Sequence, residues 1–154
     1  VHLPLDAHAE VGNSAVLARE LGVKIDEPFG RFQETPIGWS GALQERRSDL
    51  LERMEECLGR EVHLIPGGPE ELQRVAVVTG SGGSFIQEAA DAGMDALITG
   101  EGKHHDFVEA TELGVNVFYG GHYATETWGV RALAERLREE FSLSWTFIDE
   151  PSGL

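Results

Sequence analysis

The sequence predicts an α/β fold, a mixed and largely parallel sheet with flanking helices, and three features of its second half carry that prediction. Apolar runs at 75–79, 96–99 and 115–119 end at Gly80, Gly100 and Gly120, so the glycines recur every twenty residues. Each run leads through a polar turn into an apolar rhythm of helical period. A strand, a glycine turn and a helix of about three turns fill that spacing, and right-handed crossovers set such strands parallel.

The first half reads less evenly. Residues 1–5 form a short strand that delivers His2, Asp6 and His8 at its end. A helix follows from Asn13 or Ser14, either of which is a good cap, to Leu21, with Gly22 as its stop. Between 23 and 41, Pro28, Pro36, Gly30, Gly38 and Gly41 interrupt any period, so loops with short strands are expected. Residues 43–58 predict a helix capped by Ser40, with Leu43, Leu50, Leu51, Met54, Cys57 and Leu58 on its apolar side and a charged, solvated face opposite. A strand at 61–65 carries His63, which its apolar context marks as a satisfied core or surface histidine rather than a ligand. The last helix, ending at Phe141, should bury Val130, Leu133, Ala134, Leu137 and Phe141, and 144–148 a final strand. The expected organisation is a single α/β unit over 1–154, with 23–71 its least regular part.

Composition limits the function. The 154 residues are 41% hydrophobic and carry 27 acidic against 12 basic side chains, a net charge of −15. Such a chain repels phosphate backbones and anionic headgroups, so non-specific nucleic-acid binding and membrane binding are not expected. Cys57 is the single cysteine, which excludes an intrachain disulfide and fits a reducing cytoplasm; its register marks it as a packing residue. No apolar run approaches the ~20 residues of a membrane span.

The chemistry gathers at predicted strand ends. His122 and Glu126 are four residues apart, so a helix beginning near Tyr123 would place both on one face. Glu101 ends another strand, followed by His104 and His105, which diverge by roughly 100° on a helix, so at most one of the two can face the sheet end while the other meets solvent. The turn Gly80-Ser81-Gly82-Gly83-Ser84 lacks the dinucleotide and Walker signatures and reads as a plain tight turn. Together His2, Asp6, Glu101, His105, His122 and Glu126 offer imidazole and carboxylate without thiolate, a set suited to zinc, manganese or iron. A helix N-terminus near His122 opposes a cation, which Glu126 and Asp6 would neutralise.

Three segments carry a family resemblance: His2-Leu3-Pro4-Leu5-Asp6-Ala7-His8 through Gly12-Asn13, Ile98-Thr99-Gly100-Glu101, and Gly121-His122-Tyr123-Ala124-Thr125-Glu126 with Gly129. They resemble the Nif-three-like family, whose bacterial members bear the label GTP cyclohydrolase type one, type two homologue. The ending 146–151 is similar as well. The resemblance implies two intertwined α/β halves, ring-shaped homohexamers built as trimers of dimers, and a dinuclear metal centre. It implies Asp6, His122 and Glu126 as metal ligands, with His2, Glu101 and His105 lining the pocket or holding the ligands in place. Glu101 or a pocket histidine, His105, is expected to move protons. It also implies that this chain corresponds to the C-terminal part of the family's chain, about two-fifths of which, with a paired-histidine motif, is expected upstream. The functional expectation is a metal-dependent hydrolase acting on a nucleotide or related small molecule. Its alternative is a non-catalytic metal-binding scaffold or regulator acting through protein partners.

Overall fold

The computed structural model describes residues 5–152. One six-stranded mixed sheet, ordered β1-β2-β4-β5-β6-β3, forms its middle layer. The strands are β1 (Lys24–Phe32), β2 (Thr35–Arg46), β3 (His63–Pro66), β4 (Glu71–Val78), β5 (Ala96–Thr99) and β6 (Asn116–Tyr119). Strands β4, β5 and β6 run parallel, as the glycine-ended runs predict, and antiparallel strands flank them on both sides.

The helices are α1 (Asn13–Glu20), α2 (Arg47–Leu58), α3 (Ile86–Asp91), α4 (Asp106–Leu113), the single turn α5 (His122–Thr125) and α6 (Trp128–Phe141). Side chains of the parallel strands alternate between two cores. Val75, Val77, Ile98 and Phe118 pack with Leu17 of α1, Leu21 just after it, and Leu50 and Met54 of α2. Ala76, Val78, Leu97 and Val117 pack with Ile86, Ala89 and Ala110 of α3 and α4. Both sheet faces are therefore covered, which is why these strands read as unbroken apolar runs. Half-buried Cys57 packs against the first core, and burial pushes its thiol pKa up. Among the described residues, no helix is long and apolar enough to cross a membrane.

The irregular reading of 23–41 is corrected. That stretch is a long hairpin whose partners include Phe32↔Thr35, and its turn residues Gln33 and Glu34 have φ of 52° and 56°. A tight turn with positive φ at both positions ordinarily signals itself with Asn-Gly or Asp-Gly, and here that signal is missing. Pro28 is tolerated because β1 is an edge strand. The predicted helix at 43–58 starts only at Arg47, since Glu45 and Arg46 pair with Leu72 and Glu71 in the sheet. Ser40 lies in β2 and caps nothing.

Both chain ends also differ from expectation. Leu5 and Asp6 are helical rather than extended, while the rest of the predicted 1–5 strand, with His2, lies outside the described residues. Neither Asn13 nor Ser14 caps α1; Gly12 occupies that position, and both side chains reach into the fold instead. The predicted strand at 144–148 has no regular structure. Helix α6 does not bury its apolar stripe, for Val130, Leu137 and Phe141 are exposed and Gly129 is its buried residue.

Candidate metal centre

The parallel strands end side by side, and their glycine turns are stitched together. Gly100 and Glu101 both donate backbone N–H groups to the Gly80 carbonyl at 2.9 Å, and Gly121 donates to the Gly100 carbonyl at 2.8 Å. The Thr125 hydroxyl accepts the Gly80 N–H at 3.1 Å and donates to the Gly121 carbonyl at 2.9 Å. Helix α5 is thereby locked onto the turn after β4. Gly121 has φ of 91°, and a Cβ there would meet the Arg60 guanidinium, so a larger residue would disturb the entry to α5.

This frame brings three predicted residues together. His122 Nε2 lies 3.3 Å from Glu126 Oε2, and His122 Nδ1 lies 2.9 Å from Glu101 Oε1. The hydrogen bond that the Glu101 carboxylate accepts from the His122 ring raises the His122 pKa above its ordinary value, burial opposes that, and the Glu126 charge adds to it. One imidazole thus has a carboxylate at each nitrogen. Gly80 completes the cradle: a Cβ there would lie 2.2 Å from Glu126 Oε1 and 3.2 Å from His122 Nε2.

Asp6 is not among the residues that line a cavity with His122 and Glu126, and it connects to their surroundings through a bridge. Its buried carboxylate accepts the Asn13 side-chain N–H at 2.7 Å, and Asn13 Oδ1 accepts the Gly129 backbone N–H at 2.6 Å. Asp6 is thus tied to the start of α6, just beyond Glu126. His8, unassigned from sequence, holds its own turn by accepting the Glu10 and Val11 N–H groups at Nδ1.

His105 is placed elsewhere. The two histidines diverge as adjacent residues should, but His104 is the one that lines a cavity of 760 Å³ beside Glu101. His105 faces a cavity of 110 Å³ with Lys103 and Ser81, because it immediately precedes α4 and turns toward the Gly80–Ser84 side. With Asp106 and Glu109 it forms a group whose ligand atoms lie within 4.8 Å of one another and can hold a metal ion. Asp106 also has a folding role. Its Oδ2 accepts the Lys103 N–H at 2.7 Å and the Tyr119 hydroxyl at 2.8 Å, while burial, then this bond, pushes the Tyr119 pKa up.

Sequence reading missed Gly80 and Asn13 as site-building residues, and the twenty-residue glycine spacing was the available signal for the first. The profile of Duf34/NIF3 (NGG1p interacting factor 3) matches residues 1–152. The chain belongs to the Duf34/NIF3 family. It is 44% identical, over 99% of its length, to a Deinococcus radiodurans protein named GTP cyclohydrolase 1 type 2 homolog, of which it covers 59%. It is similar to a solved structural-genomics protein of unknown function, ybgI, with 42% identity and a TM-score of 0.90 over 98% of this chain and 60% of that one. A solved Thermus thermophilus protein gives 39% identity and a TM-score of 0.86, covering all of this chain and 61% of its own. The chain therefore spans about three-fifths of the length of the Duf34/NIF3 relatives it matches.

His122 and Glu126 offer two donors at a spacing compatible with one divalent cation, while the described residues that form a ligand-spaced group of three are His105, Asp106 and Glu109. Two donors held tetrahedrally at 2.0–2.1 Å from one ion stand about 3.3 Å apart, the spacing of the His122–Glu126 pair. Ligating histidines ordinarily engage a carboxylate through the other ring nitrogen, the position Glu101 occupies. Without a metal, the same geometry makes a pH prediction. A raised His122 pKa means that its ion pairs stabilise the metal-free fold fully below ~6.5 and that this contribution is lost as pH rises through the raised value. Metal-free wild-type protein should lose thermal stability across that window, and Glu101→Gln should flatten the profile. An identical pH profile for both would contradict the pairing.

Proposed function

We propose that the protein binds divalent metal through His122 and Glu126, with Asp6 as a further ligand, and acts as a metal-dependent hydrolase on a nucleotide or related small molecule. The single observation that carries this reading is the His122–Glu126 pair at 3.3 Å with Glu101 on the opposite imidazole nitrogen. Zinc, manganese or iron, two per complete site, would supply Lewis acidity and a water ionised near neutral pH. Glu126 and His122 would hold the cation and Glu101 would fix the imidazole orientation. Glu101 is also the carboxylate with most access, at 43% side-chain exposure against 16% for Glu126, which suits it to accept or return a proton. The relatives' cyclohydrolase name makes a purine nucleotide the first substrate to try. The family resemblance makes a homohexamer the first assembly to look for, and the single cysteine makes the cytoplasm the first place to look.

A second reading, a metal-binding scaffold or regulator for protein partners, draws on the exposed Leu137, Phe141, Leu143 and Trp145. Turnover separates the two. Protein loaded with zinc, manganese or iron should hydrolyse a member of a nucleotide panel, and His122→Ala or Glu126→Ala should lower metal affinity by about 100-fold or more and abolish turnover. Activity that survives loss of both side chains rules out the hydrolase reading. A partner captured equally by metal-free and metal-loaded protein supports the scaffold.

A further inference from the structure

The tail beyond α6 has no regular structure, yet it is fastened both to α5, which carries His122, and to α6. Tyr123 follows His122 directly, and its hydroxyl accepts the Glu150 N–H at 2.9 Å and donates to the Asp149 carboxylate at 3.0 Å. The Arg131 guanidinium sits 4.0 Å from the centre of the Phe147 ring, and Trp145 Nε1 donates to Glu135 at 3.1 Å. Ordering an irregular segment costs conformational entropy, so three separate anchors mark a conformation with a use.

That conformation builds a wall. Phe147 and Ile148 of the tail, with Val130 of α6, line the same cavity of 560 Å³ as Glu101, His122 and Glu126. Ile148 is 75% exposed and Val130 41% exposed, although both stand beside a cluster of carboxylates and an imidazole. Single exposed apolar residues are ordinary on a surface. An apolar wall facing a few convergent polar groups, in a cavity of several hundred Å³, is instead the make-up of a small-molecule site.

We propose that the tail is the specificity wall of the metal centre. The site takes a small amphipathic molecule whose polar, metal-binding end meets His122, Glu126 and Glu101 and whose ring-sized apolar body lies against Val130, Phe147 and Ile148. This inference rests on the metal-binding reading above and deepens it by naming the ligand class. Tyr123 is the positioning residue, because its hydroxyl sets the tail relative to its neighbour His122.

Acetohydroxamic and benzohydroxamic acid test the wall, since they share a metal-binding group and differ in a methyl against a phenyl. Calorimetric titration of zinc-loaded protein, corrected for each acid's affinity for free zinc, should show benzohydroxamate binding roughly tenfold or more tightly. Phe147→Ser combined with Ile148→Ser should cut that preference below about twofold while zinc content and acetohydroxamate affinity stay unchanged. Tyr123→Phe should reduce the preference in the same direction and speed exchange of the Glu150 amide proton. Leu143→Ser, an exposed tail position outside the cavity, should leave the preference intact. Retained zinc with no preference for the phenyl compound, or a preference untouched by the tail variants, overturns the wall. Wild-type protein that retains no zinc overturns the metal reading itself, and elemental analysis distinguishes that failure from the other.

Discussion

Replacing Gly80 with alanine should strip the protein of metal while leaving it folded. The added Cβ would lie 2.2 Å from Glu126 Oε1. That oxygen is the far end of a flexible side chain, so the collision is relieved by expelling the carboxylate rather than by moving a strand. The φ of 70° at Gly80 costs an alanine about 1 kcal/mol, a fraction of a domain's stability that lowers Tm by about 2–4 °C at this chain length. Metal affinity should fall further, by about 10–100-fold. Gly93→Ala is the matched control, because Gly93 has φ of 68° with nothing within 4 Å of the added carbon. Elemental analysis and thermal unfolding of the two variants side by side check this. Equal metal retention by both would remove Gly80 from the site.

Replacing Asn13 should be the most damaging single change to the fold around the site. Its amide is 2% exposed and joins Asp6 to the Gly129 backbone, partners at opposite ends of the chain. Alanine would leave the Gly129 N–H without this acceptor and the Asp6 carboxylate without this donor, at about 2–4 kcal/mol, or on the order of 10 °C in Tm. Asn13→Asp should be worse, because it replaces the donor facing Asp6 with a second carboxylate oxygen. Differential scanning calorimetry measures both. A Tm for Asn13→Ala within about 2 °C of wild type would mean that the bridge carries no weight.

The parts legible from sequence share a local cause. Strands 75–79, 96–99 and 115–119 are covered on both faces, so their residues are apolar without interruption and the glycine after each marks the turn. The His122–Glu126 spacing was legible because one turn of helix, α5, carries it. The hairpin at 24–46 was not, because β1 is a mostly exposed edge strand and the Gln33-Glu34 turn lacks the residues that usually signal it. Val130, Leu137 and Phe141 have the period of a buried stripe, but period reports only that residues share a face, not that anything covers it.

The sequence by itself determined the α/β class, the parallel strand run, the family resemblance and the pairing of His122 with Glu126. Each follows from residues within one element or from motifs in order along the chain. Only the tertiary structure decided that Glu101 holds the other side of His122, that Gly80 leaves room for Glu126, that Asn13 ties Asp6 to α6, and that His105 faces a different cavity. The Glu101–His122 and Asn13–Gly129 contacts join residues 21 and 116 positions apart. Backbone periodicity is silent over such distances, and sheet order and the direction of each strand end settle which side chains meet.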